Sequence, residues 1–284
     1  MAQRYATLRS LLFTSLSTLL AGPLAAQVLV DNFNRANNTT VGGGWTETES
    51  SGTSSCQVSS NELLMGGTTS GRDFVAQTTP GTYNTTLTNN TCNMTWAFNM
   101  RQSRTAPSGF DAGNYGVAVV IAGTNADFTL GDGYAVVLGN TGTPDPLRLV
   151  RYTGGLDANS NLTTIITGPN VTNNYLDVRV VYNPLTDGWQ LFYTDNGAAG
   201  PFGDPLVAAT SGGSTVDATY TGVSAPNIGC LWNHATSGTD NARFDNFYVP
   251  SACTTTTVQF TGSSASVSET GVSTTLTVSI TNPD

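Results

Sequence analysis

The sequence predicts an all-β fold: a two-sheet antiparallel sandwich of jelly-roll type, with a fragment of a second β-sandwich at its C-terminal end. Three observations carry that expectation. From Val28 to Val249 the apolar residues recur with period two, in short runs separated by turn residues, and no helical periodicity of useful length interrupts them. The run count, a dozen or so short strands, fits a two-layer antiparallel shell. Finally, Asp-Asn-Phe occurs twice, in Val28-Leu-Val-Asp-Asn-Phe-Asn-Arg35 and in Asn241-Ala-Arg-Phe-Asp-Asn-Phe-Tyr-Val249. In a closed β domain the first and last strands lie side by side, so both copies should meet at one seam.

Residues 1–26 read as a signal peptide. Arg4 and Arg9 charge its start, Leu11 to Leu20 form a short apolar run, and Pro23-Leu-Ala-Ala26 offers a cleavage site before Gln27. That run is too short and too rich in Ser and Thr to span a bilayer. The expected location is therefore secreted or at the cell surface, with no membrane insertion. After residue 26 the chain holds eight Arg, no Lys and 19 Asp plus Glu, a net charge of −11. With no basic cluster, nucleic acid is excluded as a partner, as is adhesion to an anionic membrane.

Within residues 27–250 the clearest strand is Cys92-Asn-Met-Thr-Trp-Ala-Phe-Asn-Met-Arg101. Its Cys92, Met94, Trp96, Phe98 and Met100 should face the core, and Asn93, Thr95, Asn99 and Arg101 the solvent. Tyr115 to Ile121, Tyr134 to Leu138 and Leu147 to Tyr152 read as further strands. Tyr175 to Tyr182 follows, with Leu176, Val178, Val180 and Tyr182 inward and Asp177 and Arg179 outward. Asn183-Pro-Leu-Thr-Asp-Gly188 is a hairpin turn leading into Trp189 to Tyr193. Ile228 to Trp232 and Phe244 to Val249 complete the set. Residues 251–257, rich in Thr, read as a linker. Residues 258–284 carry two further strand-like pieces, too few to stand alone, and the expectation is that the chain is a fragment of a longer protein.

The four cysteines, Cys56, Cys92, Cys230 and Cys253, match no zinc spacing, and an even set in an exported chain favours disulfides. Of the three possible pairings, Cys56–Cys92 and Cys230–Cys253 are preferred because each closes a short loop.

The succession Asp31-Asn-Phe-Asn-Arg35, Gly44-Trp45, Asp132-Gly-Tyr134, Asp187-Gly-Trp189 and Arg243-Phe-Asp-Asn-Phe247 resembles the concanavalin A-like, laminin G-like jelly rolls of bacterial exported proteins, over roughly residues 28–250. The tail, with Val258-Gln-Phe260, Val267-Ser-Glu269 and Leu276-Thr-Val278 in order, resembles the opening of a Calx-beta repeat. The first resemblance implies a structural Ca²⁺ between the N-terminal segment and the closing strand, with Asp245 as its carboxylate and Asp31 beside it. The second implies that Glu269 is a calcium ligand whose companions lie past Asp284. Hard oxygen donors of this kind are what Ca²⁺ requires.

Catalytic signatures are thin. Glucanases of this fold resemble one another in a Glu-x-Asp-x-(x)-Glu strand, and retaining glycosidases need two carboxylates close together. After the signal peptide the glutamates are Glu47, Glu49, Glu62 and Glu269. Glu47 and Glu49 share a strand face but lack the intervening Asp. His234 is the only histidine, and no Gly-x-Ser-x-Gly elbow accompanies it. The expectation is a non-enzymatic recognition or adhesion module for an extracellular glycan or matrix protein. Candidate ligand residues are Arg101, Arg148, Tyr152, Arg179, Trp232 and His234, with Asn99, Gln190 and Asn233 near them. The alternatives are a diverged glycoside hydrolase or polysaccharide lyase using Glu47 and Glu49 or His234, and a purely structural surface protein.

Overall fold

The computed structural model describes residues 27–253, apart from 51, 53, 237 and 238, and the short backbone pieces 257–258 and 280–281. Its strands in chain order are β1 (Gln27–Asp31), β2 (Thr46–Thr48), β3 (Cys56–Ser59), β4 (Glu62–Met65), β5 (Gly71–Thr78), β6 (Met94–Gln102), β7 (Gly116–Gly123), β8 (Gly133–Leu138), β9 (Pro146–Tyr152), β10 (Leu162–Asn170), β11 (Leu176–Asn183), β12 (Gly188–Asp195), β13 (Thr210–Val216), β14 (Asn227–His234), β15 (Ala242–Pro250), β16 (Thr257–Val258) and β17 (Ile280–Thr281). One sheet runs β13-β12-β11-β6-β15-β4-β3 with β1 added beside β15; the other runs β10-β9-β8-β7-β14-β5-β2. All their pairings are antiparallel, so the predicted two-sheet sandwich is what forms.

The seam expectation holds. β1 pairs with β15, Gln27 opposite Pro250 and Asp31 opposite Phe247. Trp45 lies between the two Asp-Asn-Phe copies, its ring centroid 6.0 Å from Phe33 and 5.8 Å from Phe247. The inward faces of β6 and β11 fall as the alternation predicts, with Trp96, Phe98, Met100, Val178 and Tyr182 all in the core. The hairpin at Asp187-Gly188 joins β11 to β12, with Asp187 at φ 50°, in the left-handed region.

Three expectations are corrected. First, the outer face of β6 is not wet. Thr95 and Asn99 are buried, because the segment after β12 folds back: the Gly203 backbone N–H donates to Asp177 Oδ1 (2.8 Å), and Asn99 Nδ2 donates to the Gly203 carbonyl (3.2 Å). Secondly, the seven-stranded sheet is dry on both faces over much of its area. Its outer side carries a second core of Phe74, Ala118, Val120, Val137, Val150, Tyr152 and Leu231, roofed by Phe110, Phe128 and Leu156 from three loops. The small residues that alternate with larger ones in β7 and β8, Ala118 and Ala135 among them, are therefore packed in this second core and do not face water.

The third correction concerns the cysteines. The disulfide joins Cys92 to Cys253, across 161 positions of sequence, and neither expected pair forms. Strand order explains it. Antiparallel β6 and β15 are neighbours, so the residue just before β6 and the residue just after β15 arrive at the same end of the sheet. The start of the supposed linker is thereby fastened to the domain. Cys56 and Cys230 are both buried as thiols. The tail adds a two-rung pair, Thr257 opposite Thr281 and Val258 opposite Ile280; its other residues, Glu269 among them, lie outside the described residues, as does the signal segment.

Candidate ligand groove and the seam

The loops that roof the seven-stranded sheet stop short of its β2–β5 edge. There they leave a groove of about 500 Å³. Register builds its floor: Thr46 lies opposite Ala76 and Thr48 opposite Phe74, so two hydroxyls and an aromatic ring share one face. Thr78 pairs with Asn227 of β14 and extends the floor. The far wall is the 124–131 loop, which presents Asp127.

That loop is held by its own polar residues. Asn125 Oδ1 accepts the Asp127 N–H (2.9 Å), and Asp127 Oδ1 accepts the Thr129 N–H (2.9 Å) and hydroxyl (2.6 Å). Beneath it Phe128 is fully buried, 5.6 Å from the Phe74 ring. It packs where Gly229 leaves room: a Cβ there would lie 2.7 Å from the Phe128 ring and 2.0 Å from the Val75 carbonyl oxygen. Asp127 is thus left with Oδ2 uncommitted. Asn227 donates its Nδ2 to the Gly123 carbonyl (3.2 Å), which turns its Oδ1 free. Gln77 borders the groove, but it alternates with Ala76 and Thr78 along β5 and its Oε1 is enclosed, out of a ligand's reach.

The groove therefore offers acceptors above all, with threonine hydroxyls beside them and an apolar floor. No arginine lines it. A ligand suited to it is uncharged and rich in O–H donors.

The sequence-derived candidates do not converge. Arg101 lies on the outer face of the eight-stranded sheet, its guanidinium 4.4 Å from the Tyr175 ring centroid and its Nε donating to the Asn173 carbonyl. Arg179 shares that face, over Phe192 and donating to the Ala208 carbonyl (3.0 Å). Both brace loops. Gln190, nearby, lines a smaller hollow of about 360 Å³ with Val181 and Ser214. Arg148 and Tyr152 belong to the other sheet. Arg148 is 8% exposed and donates to Thr164 Oγ1 and the Gly139 carbonyl; the Tyr152 hydroxyl is enclosed against Gly123 and Gly133. Trp232 and His234 point inward, at 0% and 1% exposure, with His234 Nε2 3.0 Å from Asp73 Oδ2. Asn233 ties down the 109–114 loop through three backbone carbonyls.

Glu47 and Glu49 also serve the backbone. Glu47 Oε1 accepts the Val41 N–H (2.8 Å), and Glu49 accepts the N–H groups of Ser54 and Cys56 (2.9 and 2.8 Å).

The seam carboxylates differ sharply. Asp31 accepts from both Arg35 guanidinium nitrogens (2.7 and 3.0 Å), from Trp45 Nε1 (2.9 Å) and from the Phe33 N–H (2.7 Å). Its lone pairs are committed and a cation already faces it, so Asp31 does not fit a Ca²⁺ ligand. Asp245 fits better. It accepts only from Asn246, through N (2.8 Å) and Nδ2 (3.1 Å). Burial, then the nearby charges of Glu62 and Asp31, push its carboxyl up to about 7. Among the described residues no three His, Cys, Asp or Glu side chains gather as a metal cluster.

No protein-family model matches the chain, and no curated protein does. Solved structures do share its fold. Lectin I-B4 from Griffonia simplicifolia, in a metal-free form, superimposes with a TM-score of 0.51 at 9% identity, over 81% of this chain and 100% of that one. The lectin UEA-II, complexed with galactose, gives a TM-score of 0.51 at 12% identity, over 81% of this chain and 99% of that one. At such identities the likeness is one of fold: the jelly roll is that of these lectins.

Proposed function

We propose that this chain is a secreted or cell-surface recognition module that holds an uncharged extracellular glycan in the groove between β2, β5 and the 124–131 loop. The observation that carries this reading is the pair of uncommitted acceptors, Asp127 Oδ2 and Asn227 Oδ1, beside the Phe74 floor. Sugar hydroxyls donate to such groups, and the apolar face of a pyranose covers such a floor. The shared fold supports it, since one neighbour was solved with galactose. Glu47, Glu49 and His234 are occupied in holding the fold, which supports binding without cleavage. Calcium at Asp245 and an adhesive role in a longer surface protein are parts of the same proposal.

The test is calorimetric titration of neutral oligosaccharides into the full chain, alongside Asp127→Asn and Asn227→Ala. Asn at position 127 keeps an oxygen for Thr129 while replacing the free acceptor by a donor. The expected result is a loss of affinity of at least about tenfold, roughly 1.4 kcal/mol, in both variants, with melting unchanged in Asp127→Asn and lowered in Asn227→Ala, which also loses the bond to the Gly123 carbonyl. Unaltered affinity in both variants would move the site elsewhere. Release of reducing ends from the same sugars would revive the hydrolase alternative.

A further inference from the structure

Once Cys92 and Cys253 are joined, two cysteines are left, and the fold does not scatter them. Cys56 opens β3 in one sheet and Cys230 sits mid-strand in β14 of the other. Both are 0% exposed and belong to the core between the sheets. The layers are drawn together at this place. The Cys56 backbone N–H donates to Glu49 Oε1 at 2.8 Å, and Glu49 directly follows β2 of the opposite sheet. In that sheet Glu47 lies opposite Val75, and Val75 opposite Cys230, so one rung leads from the contact to the second thiol. Electrostatics agree: a charge on Cys56 is felt at Cys230, and Cys56 feels Asp73, Glu49 and Glu47, all from the opposite layer.

Burial holds both thiols protonated, which removes them from nucleophilic or metal chemistry. The Cys92–Cys253 bond, for its part, belongs to a chain that folds in an oxidising compartment.

We propose that Cys56 and Cys230 form a second disulfide, a staple between the two sheets. In this step each thiol gives up its proton and one electron and the S–S bond forms. The two protons and two electrons reduce the disulfide of a thiol–disulfide oxidoreductase to its dithiol, through a mixed disulfide. Because both sulfurs are enclosed in the finished fold, the exchange precedes closure of the two sheets on one another. The position complements the first cross-link. Cys56 lies opposite Met65, Met65 opposite Ala242, and Ala242 opposite Gln102, at the end of β6 remote from Cys92. The two bonds thus bracket β6 and β15 from both ends.

The experiment is to export the full chain through an oxidising compartment, denature it without reductant, alkylate it with iodoacetamide, and map its peptides by mass. The expected result is no alkylated cysteine and a peptide pair joining Cys56 to Cys230. A Cys92→Ser, Cys253→Ser double variant treated the same way should still show that pair. Alkylation of both Cys56 and Cys230 in the exported chain overturns the proposal, as does a bond from either one to Cys92 or Cys253.

Discussion

Trp45 reaches from one sheet to the other: its Nε1 donates to Asp31 Oδ2 at 2.9 Å, just where Asp31 pairs with Phe247 across the first and last strands. The indole thus ties the entry of the chain to its closing strand, and Arg35 completes the charge balance. Replacing Asp31 by Ala leaves the Arg35 guanidinium with only the Val41 carbonyl and no counter-charge, and an enclosed indole N–H without an acceptor. A cost of about 3 kcal/mol follows. Chemical denaturation of Asp31→Ala beside wild type measures it, and Ca²⁺ should not repair the loss.

Asp245 makes stability depend on pH in the less usual direction. Its folded carboxyl titrates at about 7, above the ordinary value of 3.8. Between those values the native chain holds a proton that the unfolded chain has released. Stability from this group is therefore full below about pH 4 and lost as pH rises through 7. Asp245→Asn should flatten that fall and leave the variant more stable than wild type at pH 8 in chelator. Melting curves across pH 4–8 decide the matter.

Calcium should act through the same carboxylate. At pH 8, ion bound to the native state alone stabilises it by about 2.7 kcal/mol at a hundredfold excess over Kd. The gain should shrink as pH falls toward 5 and protons compete for Asp245. It should vanish in Asp245→Asn and survive in Asp31→Asn. Superimposed wild-type curves in Ca²⁺ and chelator would end the metal proposal.

Phe128 couples the second core to the groove, since it anchors the loop that presents Asp127. Phe128→Ala should cost about 3–5 kcal/mol in stability. It should also weaken sugar binding without touching a ligand-facing atom. Denaturant midpoints and titration on one preparation read both effects, and the Leu185→Ala change at an exposed turn serves as control.

The Cys92–Cys253 bond closes a loop long enough that chain entropy assigns it about 5 kcal/mol. The double Ser variant should therefore unfold at markedly lower denaturant than wild type, with a steeper unfolding slope, because the unfolded chain without the cross-link is more expanded.

What could be read from the residues followed from alternation. β6 and β11 are legible because one face is apolar without a break, and the twin Asp-Asn-Phe motifs marked the seam. β10 was missed because its register slips twice, between Thr164 and Ile166 and between Thr167 and Asn170, which breaks period two. β13 was missed because Thr210-Ser-Gly-Gly-Ser-Thr-Val216 carries a single apolar residue on an edge. The groove was hidden for another reason. Thr48, Phe74, Asp127 and Asn227 come from four distant segments that only strand order gathers, although Asn125-Ala-Asp-Phe-Thr129 held a local sign of a self-bonded loop. The outward arginines misled because the loops covering each sheet's outer face left no trace in the strand pattern. The cysteine pairing likewise depends on which strands are neighbours, and loop length does not report that.

The bond at Cys253 also decides how the domain bears a pull. Tension arriving from residues beyond Cys253 would, with β15 alone, unzip that strand rung by rung from Pro250 onward. Joined to Cys92, the same tension is shared at once with β6, which lies between β11 and β15 inside the sheet. Two neighbouring strands must then give way together. A module tethered through its tail would be able to keep its grip under flow for longer than its equilibrium stability implies.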